Sequence, residues 1–70
     1  MGKNLSIEEI FNESRELSLN GLRLLLYVQV LNKNSILLDK VSLEKVLKDL
    51  NVSKQAYYIA YNELVKKDLL

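Results

Sequence analysis

The 70-residue chain has neither cysteine nor histidine. Without cysteine there is no disulfide staple and no thiolate metal site. Without histidine the commonest general base and metal ligand are missing, which leaves only carboxylates and water for a metal. No run approaches the ~20 apolar residues of a membrane span. The apolar stretch 24–28 is short and is followed by Gln29. The N-terminus lacks a signal-peptide core. No nucleophile–base pair and no phosphate-cradling loop occurs. These absences point away from an enzyme, a cofactor or a membrane, and towards a protein of the reducing cytoplasm.

Seventy residues make one domain near the lower limit for a self-sufficient core, because so small a chain buries only roughly 60% of the surface it exposes unfolded. Such domains often gain stability by dimerising or within a longer polypeptide. The formal charge of +1 says little about partners, but its distribution says more. Residues 1–20 carry Lys3 and Arg15 against Glu8, Glu9, Glu13 and Glu16, whereas residues 21–70 carry eight basic and five acidic side chains.

Taken in order, residues 1–5 read as a loose leader. Ser6-Ile7-Glu8-Glu9 is a capping box, in which serine accepts a first-turn amide proton and Glu9 reaches back. An acidic helix over 6–16 follows. Its stripe of Ile7, Ile10, Phe11 and Ser14, closed by Leu17, is expected to pack on the rest, or to reach a second subunit as an arm. Glu9, Glu13 and Glu16 share a surface, but nothing else converges on them, so a solvated face explains them better than a metal or acid–base site. Residues 17–21 break the helix, and Ser18 or Asn20 can cap the next, expected over 21–32. That helix is apolar almost all the way round, with Arg23 and Gln29 as the exceptions, and must be covered on most sides. It is expected to be the central core helix, with a side left over for a partner subunit. Residues 32–35 are a turn by composition, and 36–38 read as a short strand that would need a hairpin from elsewhere.

The stretch 42–67 is the one the chain is organised around. Ser42 caps a helix whose inward face is Val46, Leu47 and Leu50; Asn51 tolerates the left-handed conformation that stops it; Val52 plugs the corner. Ser53 then caps a second helix with Tyr57, Ala60, Tyr61 and Leu64 inward. This is the helix-turn-helix arrangement, whose second helix can lie in the DNA major groove. Leu47 stands where a small residue usually allows close approach, which implies a wider crossing. The opposite face of the second helix shows Lys54, Gln55, Tyr58, Asn62 and Lys66. Ser53 and the free amides at the helix start suit a backbone phosphate. Gln55 suits adenine and Lys54 suits guanine or phosphate. Tyr58 can touch a thymine methyl or a phosphate, and Asn62 sits near the groove edge. Lys45, Lys48 and Arg23 are candidate backbone clamps.

The run L-S-L-N-G-L-R-L-L-L-Y at 17–27 resembles the opening helix of the first winged-helix domain of plasmid replication initiators, which reads like L-S-L-N-x-x-R-L-L-L-Y. The later run V-S-L-E-K-V-L-K-D-L-N-V-S-K-Q-A-Y-Y-I-A-Y-N-E-L-V-K-K-D-L-L resembles the helix-turn-helix of those initiators and of MarR-type repressors. The resemblance covers residues 17–70. It implies dimerisation and DNA contact, with Ser53, Lys54, Gln55 and Tyr58 at the contact positions. In winged-helix domains a strand placed like 36–38 pairs with the wing after the reading helix, where this chain reaches Lys67-Asp68-Leu69-Leu70.

The expected fold is therefore all-α, or α with one short strand: a helix-turn-helix bundle resembling a winged helix with the wing absent or truncated. The expected role is double-stranded DNA binding as a homodimer, or within a larger assembly, in a plasmid, phage or bacterial replication or transcription regulator. The rival expectation is a helix-turn-helix-shaped protein–protein interaction module.

Overall fold

The computed structural model describes residues 4–70. Its elements are α1 (Ile7–Ser14), α2 (Leu19–Lys33), a 3-10 turn (Leu38–Lys40), α3 (Leu43–Leu50) and α4 (Lys54–Lys66). No strand occurs among the described residues, so the fold is all-α.

The other helices are arranged around α2. Ser18 is its N-cap, with Oγ accepting the Gly21 N–H at 3.0 Å. The helix thus starts at Leu19, ahead of the expected 21, and Gly21 lies inside its first turn instead of breaking the chain. Glycine is needed there for close approach, since a Cβ would collide with the Glu63 carboxylate and stand 3.2 Å from the Ser18 Oγ. Leu24, Leu25, Val28 and Leu31 recur at helical spacing and are buried. Against them lie Tyr57, Ala60 and Leu64 of α4 and Val46 and Leu50 of α3, with Leu38 and Leu69 closing the ends of the core. Each fully buried leucine or valine of this set contributes roughly 1.5–3 kcal/mol relative to exposure. No polar or charged side chain among the described residues is buried.

Three helices stop in the same way. Ser35, Asn51 and Asp68 have φ of 58°, 55° and 57°, the left-handed conformation. The next residue then donates its N–H back into the helix: Ile36 to the Leu31 carbonyl, Val52 to Leu47 and Leu69 to Leu64, at 2.9, 3.2 and 2.9 Å. These bonds satisfy end carbonyls and fold an apolar side chain back over the last turn.

Two further expectations are corrected. Residues 36–38 do not form a strand. With no partner strand beside them, their backbone groups are satisfied locally by the Ile36 bond, and by Lys40 and Val41 donating to the Leu37 and Leu38 carbonyls in the 3-10 turn. Nor does α1 pack its whole stripe. Its capping box forms as read, with the Glu9 N–H on Ser6 Oγ at 3.2 Å and the Ser6 N–H on Glu9 Oε1 at 3.0 Å. Yet the regular helix ends at Ser14, and Ile7 and Phe11 are 86% and 62% exposed. Only Ile10 and Leu17, on one edge of the stripe, rest against the core. The expected leader lies largely outside the described residues, but Leu5 is half-buried and its N–H donates to Gln29 Oε1 at 2.9 Å.

Candidate nucleic-acid interface

The corner between α3 and α4 is built by local chemistry. Asn51 turns the chain with φ 55° and ψ 50°, Val52 is half-buried, and Ser53 resumes extended backbone at φ −74°, ψ 161°. The Ser53 Oγ accepts the Ala56 N–H at 3.1 Å, and the Ser53 carbonyl accepts the Tyr57 N–H at 2.9 Å. Those two bonds leave the Lys54 and Gln55 amides of the first turn directed out of the helix end, where the dipole favours an anion.

Tyr57, Ala60 and Leu64 are buried and Tyr61 is half-buried, which fixes the rotation of α4. Lys54, Gln55, Tyr58, Asn62 and Lys66 all lie on its exposed side, together with Ser53. Lys54 and Lys66 have no ion-pair partner among the described residues. Ile59 and Val65, 63% and 47% exposed, share this face and were not among the residues singled out from the sequence. The signal was present, because Ile59 lies one turn after Gln55 and three residues before Asn62. Tyr58 meets Tyr57 edge-on, with centroids 5.2 Å apart. It also lines a groove of about 260 Å³ with Leu38, Asp39, Leu43, Val46 and Tyr61.

The candidate clamps are not all brought to this face. Arg23 is half-buried beside Val52 and Ala56, close to the start of α4. Lys48 is exposed on α3. Lys45 is held elsewhere: its Nζ pairs with Asp49 Oδ2 at 3.1 Å, and that oxygen also accepts the Tyr27 hydroxyl at 2.8 Å. Leu43 and Val46 line the groove beside the α4 tyrosines, so the Lys45–Asp49 edge belongs to the side of α3 turned towards α2. Hydrogen bonds from Tyr27 and Lys45 hold the Asp49 carboxyl below its ordinary value. Burial first, and then the Asp49 contact, pushes the Tyr27 hydroxyl up to about 12.

The charges on α4 are unevenly spread. Glu63 flanks Asn62 and Lys66 and is kept ionised by hydrogen bonds from the Ser18 hydroxyl and N–H, which lower its pKa. Lys67 is drawn to Glu16 at 3.4 Å. The face is thus cationic at its start and carries a fixed carboxylate near its end. Among the described residues no cluster of three carboxylates could hold a metal ion. Glu9 caps α1 and Glu16 pairs with Lys67, in keeping with a structural and solvated acidic face. Nor is any described helix long and apolar enough to cross a membrane.

No protein-family model, curated protein or solved structure compared with the chain matches it.

Proposed function

We propose that the domain binds double-stranded DNA through α4, as two copies, within a plasmid, phage or bacterial replication or transcription regulator of the cytoplasm. The observation that carries this reading is the position of Lys54 and Gln55. Both are exposed at a capped helix start, directly after the left-handed Asn51 corner. Entering a major groove by that end, α4 offers Gln55 to adenine and Lys54 to guanine or a phosphate. Its first-turn amides and Ser53 receive a phosphate, with Arg23 near the corner. Tyr58 and Ile59 follow one turn later, where a thymine methyl is the natural apolar partner. The Glu63 carboxylate repels phosphate, so contact concentrates in the first two turns. One copy neutralises few phosphates and binds weakly; two copies on a palindromic site bind better. The resemblance of 17–70 to winged-helix domains of replication initiators and MarR-type repressors agrees with this role.

A second reading is favoured by Tyr58, Ile59 and Val65, whose combined exposure gives the same face an apolar strip. On that reading α4 docks against a protein, with lysines only at its rim.

Fluorescence anisotropy with mixed-sequence duplex DNA separates the two. DNA binding predicts an affinity that falls steeply with salt. Lys54→Ala and Gln55→Ala should each weaken it while leaving helix content unchanged. A flat titration at low salt removes the DNA reading and leaves the second.

A further inference from the structure

Five large apolar side chains on the first two helices face solvent: Ile7, Phe11, Leu19, Leu26 and Val30. They belong to one surface. The Leu5–Gln29 hydrogen bond sets the start of α1 beside the end of α2, and the short link 15–18 returns the chain, so the two helices run antiparallel. In that register Ile7 is level with Leu26 and Val30, and Phe11 with Leu22 and Leu26. Along α2, Leu19, Leu26 and Val30 repeat at helical spacing on the side opposite the buried Leu24, Leu25 and Val28. Just past α1 the Glu16–Lys67 pair draws the glutamate edge of the helix towards the end of α4. Ile7 and Phe11 therefore occupy the other edge, over the bare side of α2.

We propose that a second copy of this chain docks on this face, with the two α1 helices antiparallel about Phe11. Area is the first argument. The five side chains are 44% to 86% exposed, and a face of five large apolar groups reaches the several-hundred-Å² size that monomers seldom leave bare. With a polar rim this approaches the ~800 Å² per partner of a stable interface. Charge is the second argument, and it selects a like partner. Glu8 and Arg15 are both exposed, lie two helical turns apart on the Phe11 edge of α1, and stand one on each side of that ring. The Arg15 guanidinium already lies 5.7 Å from the Phe11 ring centre. A two-fold axis near Phe11 brings Glu8 against the partner's Arg15 at both ends of the contact, as an isologous interface requires. An anionic partner, whether nucleic acid or lipid surface, would instead meet Glu8 on this edge and find Arg15 as its only cation among the residues flanking Phe11. The proposal rests on the two-copy reading of the domain and names the surface that joins the copies.

Sedimentation equilibrium of the full chain without DNA tests it, so its outcome does not depend on DNA binding. The wild type should form dimers, and Phe11→Glu should raise the dimer Kd about tenfold or more with the helical circular-dichroism signal intact. Glu8→Arg and Arg15→Glu should each weaken the dimer, and the two together should restore it. A wild-type monomer at the highest soluble concentration overturns the proposal, as does a dimer indifferent to Phe11→Glu and to the charge exchange. Loss of salt-dependent DNA binding in Lys54→Ala, measured separately, bears on α4 alone.

Discussion

Glu63 on α4 holds Ser18, 45 residues earlier, by two hydrogen bonds: Oε2 accepts the Ser18 N–H at 2.9 Å and Oε1 accepts the Ser18 hydroxyl at 2.7 Å. The same Ser18 Oγ accepts the Gly21 N–H that starts α2. One carboxylate thus pins the cap of the central helix to the helix proposed to read DNA. It also explains the glycine, whose missing Cβ leaves room for that carboxylate.

This arrangement predicts an unusual outcome for Gly21→Ala. In an open helix the change stabilises by about 1 kcal/mol. Here the methyl displaces the Glu63 carboxylate, so the gain should vanish or reverse. It should return in a Glu63→Ala background, giving a coupling of roughly 0.5 kcal/mol or more in a double-mutant cycle. Ser18→Ala alone should cost about 1 kcal/mol, as the loss of a helix cap does. Urea denaturation of the four variants reads each value.

The ionisable groups set opposite pH limits. The Glu63 pKa is lowered in the folded state, so its stabilisation is complete above the ordinary glutamate value and is lost as pH falls through the lowered one. Glu63→Gln should therefore flatten the acid limb of the stability profile. The Tyr27 hydroxyl is raised to about 12. Its contribution is full below the unfolded tyrosine value of about 10 and disappears as pH rises towards the folded one. Tyr27→Phe should remove that alkaline loss, as read by urea midpoints at about pH 9 and about pH 11.

Helix ends offer a stabilising change. Ser35 holds left-handed backbone with a Cβ, which costs roughly 1 kcal/mol relative to glycine. Ser35→Gly should raise the thermal midpoint despite the extra freedom it gives the unfolded chain. Asn51→Gly should do less, because asparagine accepts that conformation more readily. A lowered midpoint for Ser35→Gly would sink this account of the helix termini.

Leu64 and Ile59 lie on opposite sides of α4 and should separate stability from binding. Leu64 is fully buried, and Leu64→Ala should cost about 2–5 kcal/mol, much of what a domain of this size possesses. Ile59→Ala should change stability by no more than about 0.5 kcal/mol. Its effect should appear in anisotropy titrations instead: a modest loss of DNA affinity if α4 reads a groove, and none if the apolar strip serves a protein.

Much of the fold could be read locally. The caps at Ser6, Ser42 and Ser53 and the stop at Asn51 rest on chemistry within four residues, and each is found where the sequence places it. Helical spacing likewise picks out Val46, Leu47, Leu50, Tyr57, Ala60, Tyr61 and Leu64 as the inward set; five are buried, and Leu47 and Tyr61 are half-buried against them. The exposure of Lys54, Gln55, Tyr58 and Asn62 follows from that same phase.

What failed to be legible depends on neighbours distant in the chain. Residues 36–38 have β propensity, but strand formation needs a second strand to take up its hydrogen bonds. Ile7 and Phe11 have the spacing of a packed stripe, but the edge of α1 that meets the core is decided by where α2 and the end of α4 lie. Lys45 looks like a free cation until α3 sets Asp49 against Tyr27. Periodicity and capping are properties of a few consecutive residues, so the sequence alone determined that these helices form and which faces of α3 and α4 turn inward. The pairing of Ser18 with Glu63, and the face of α1 and α2 left bare, required the tertiary structure, because only packing decides which surfaces meet once the helices exist.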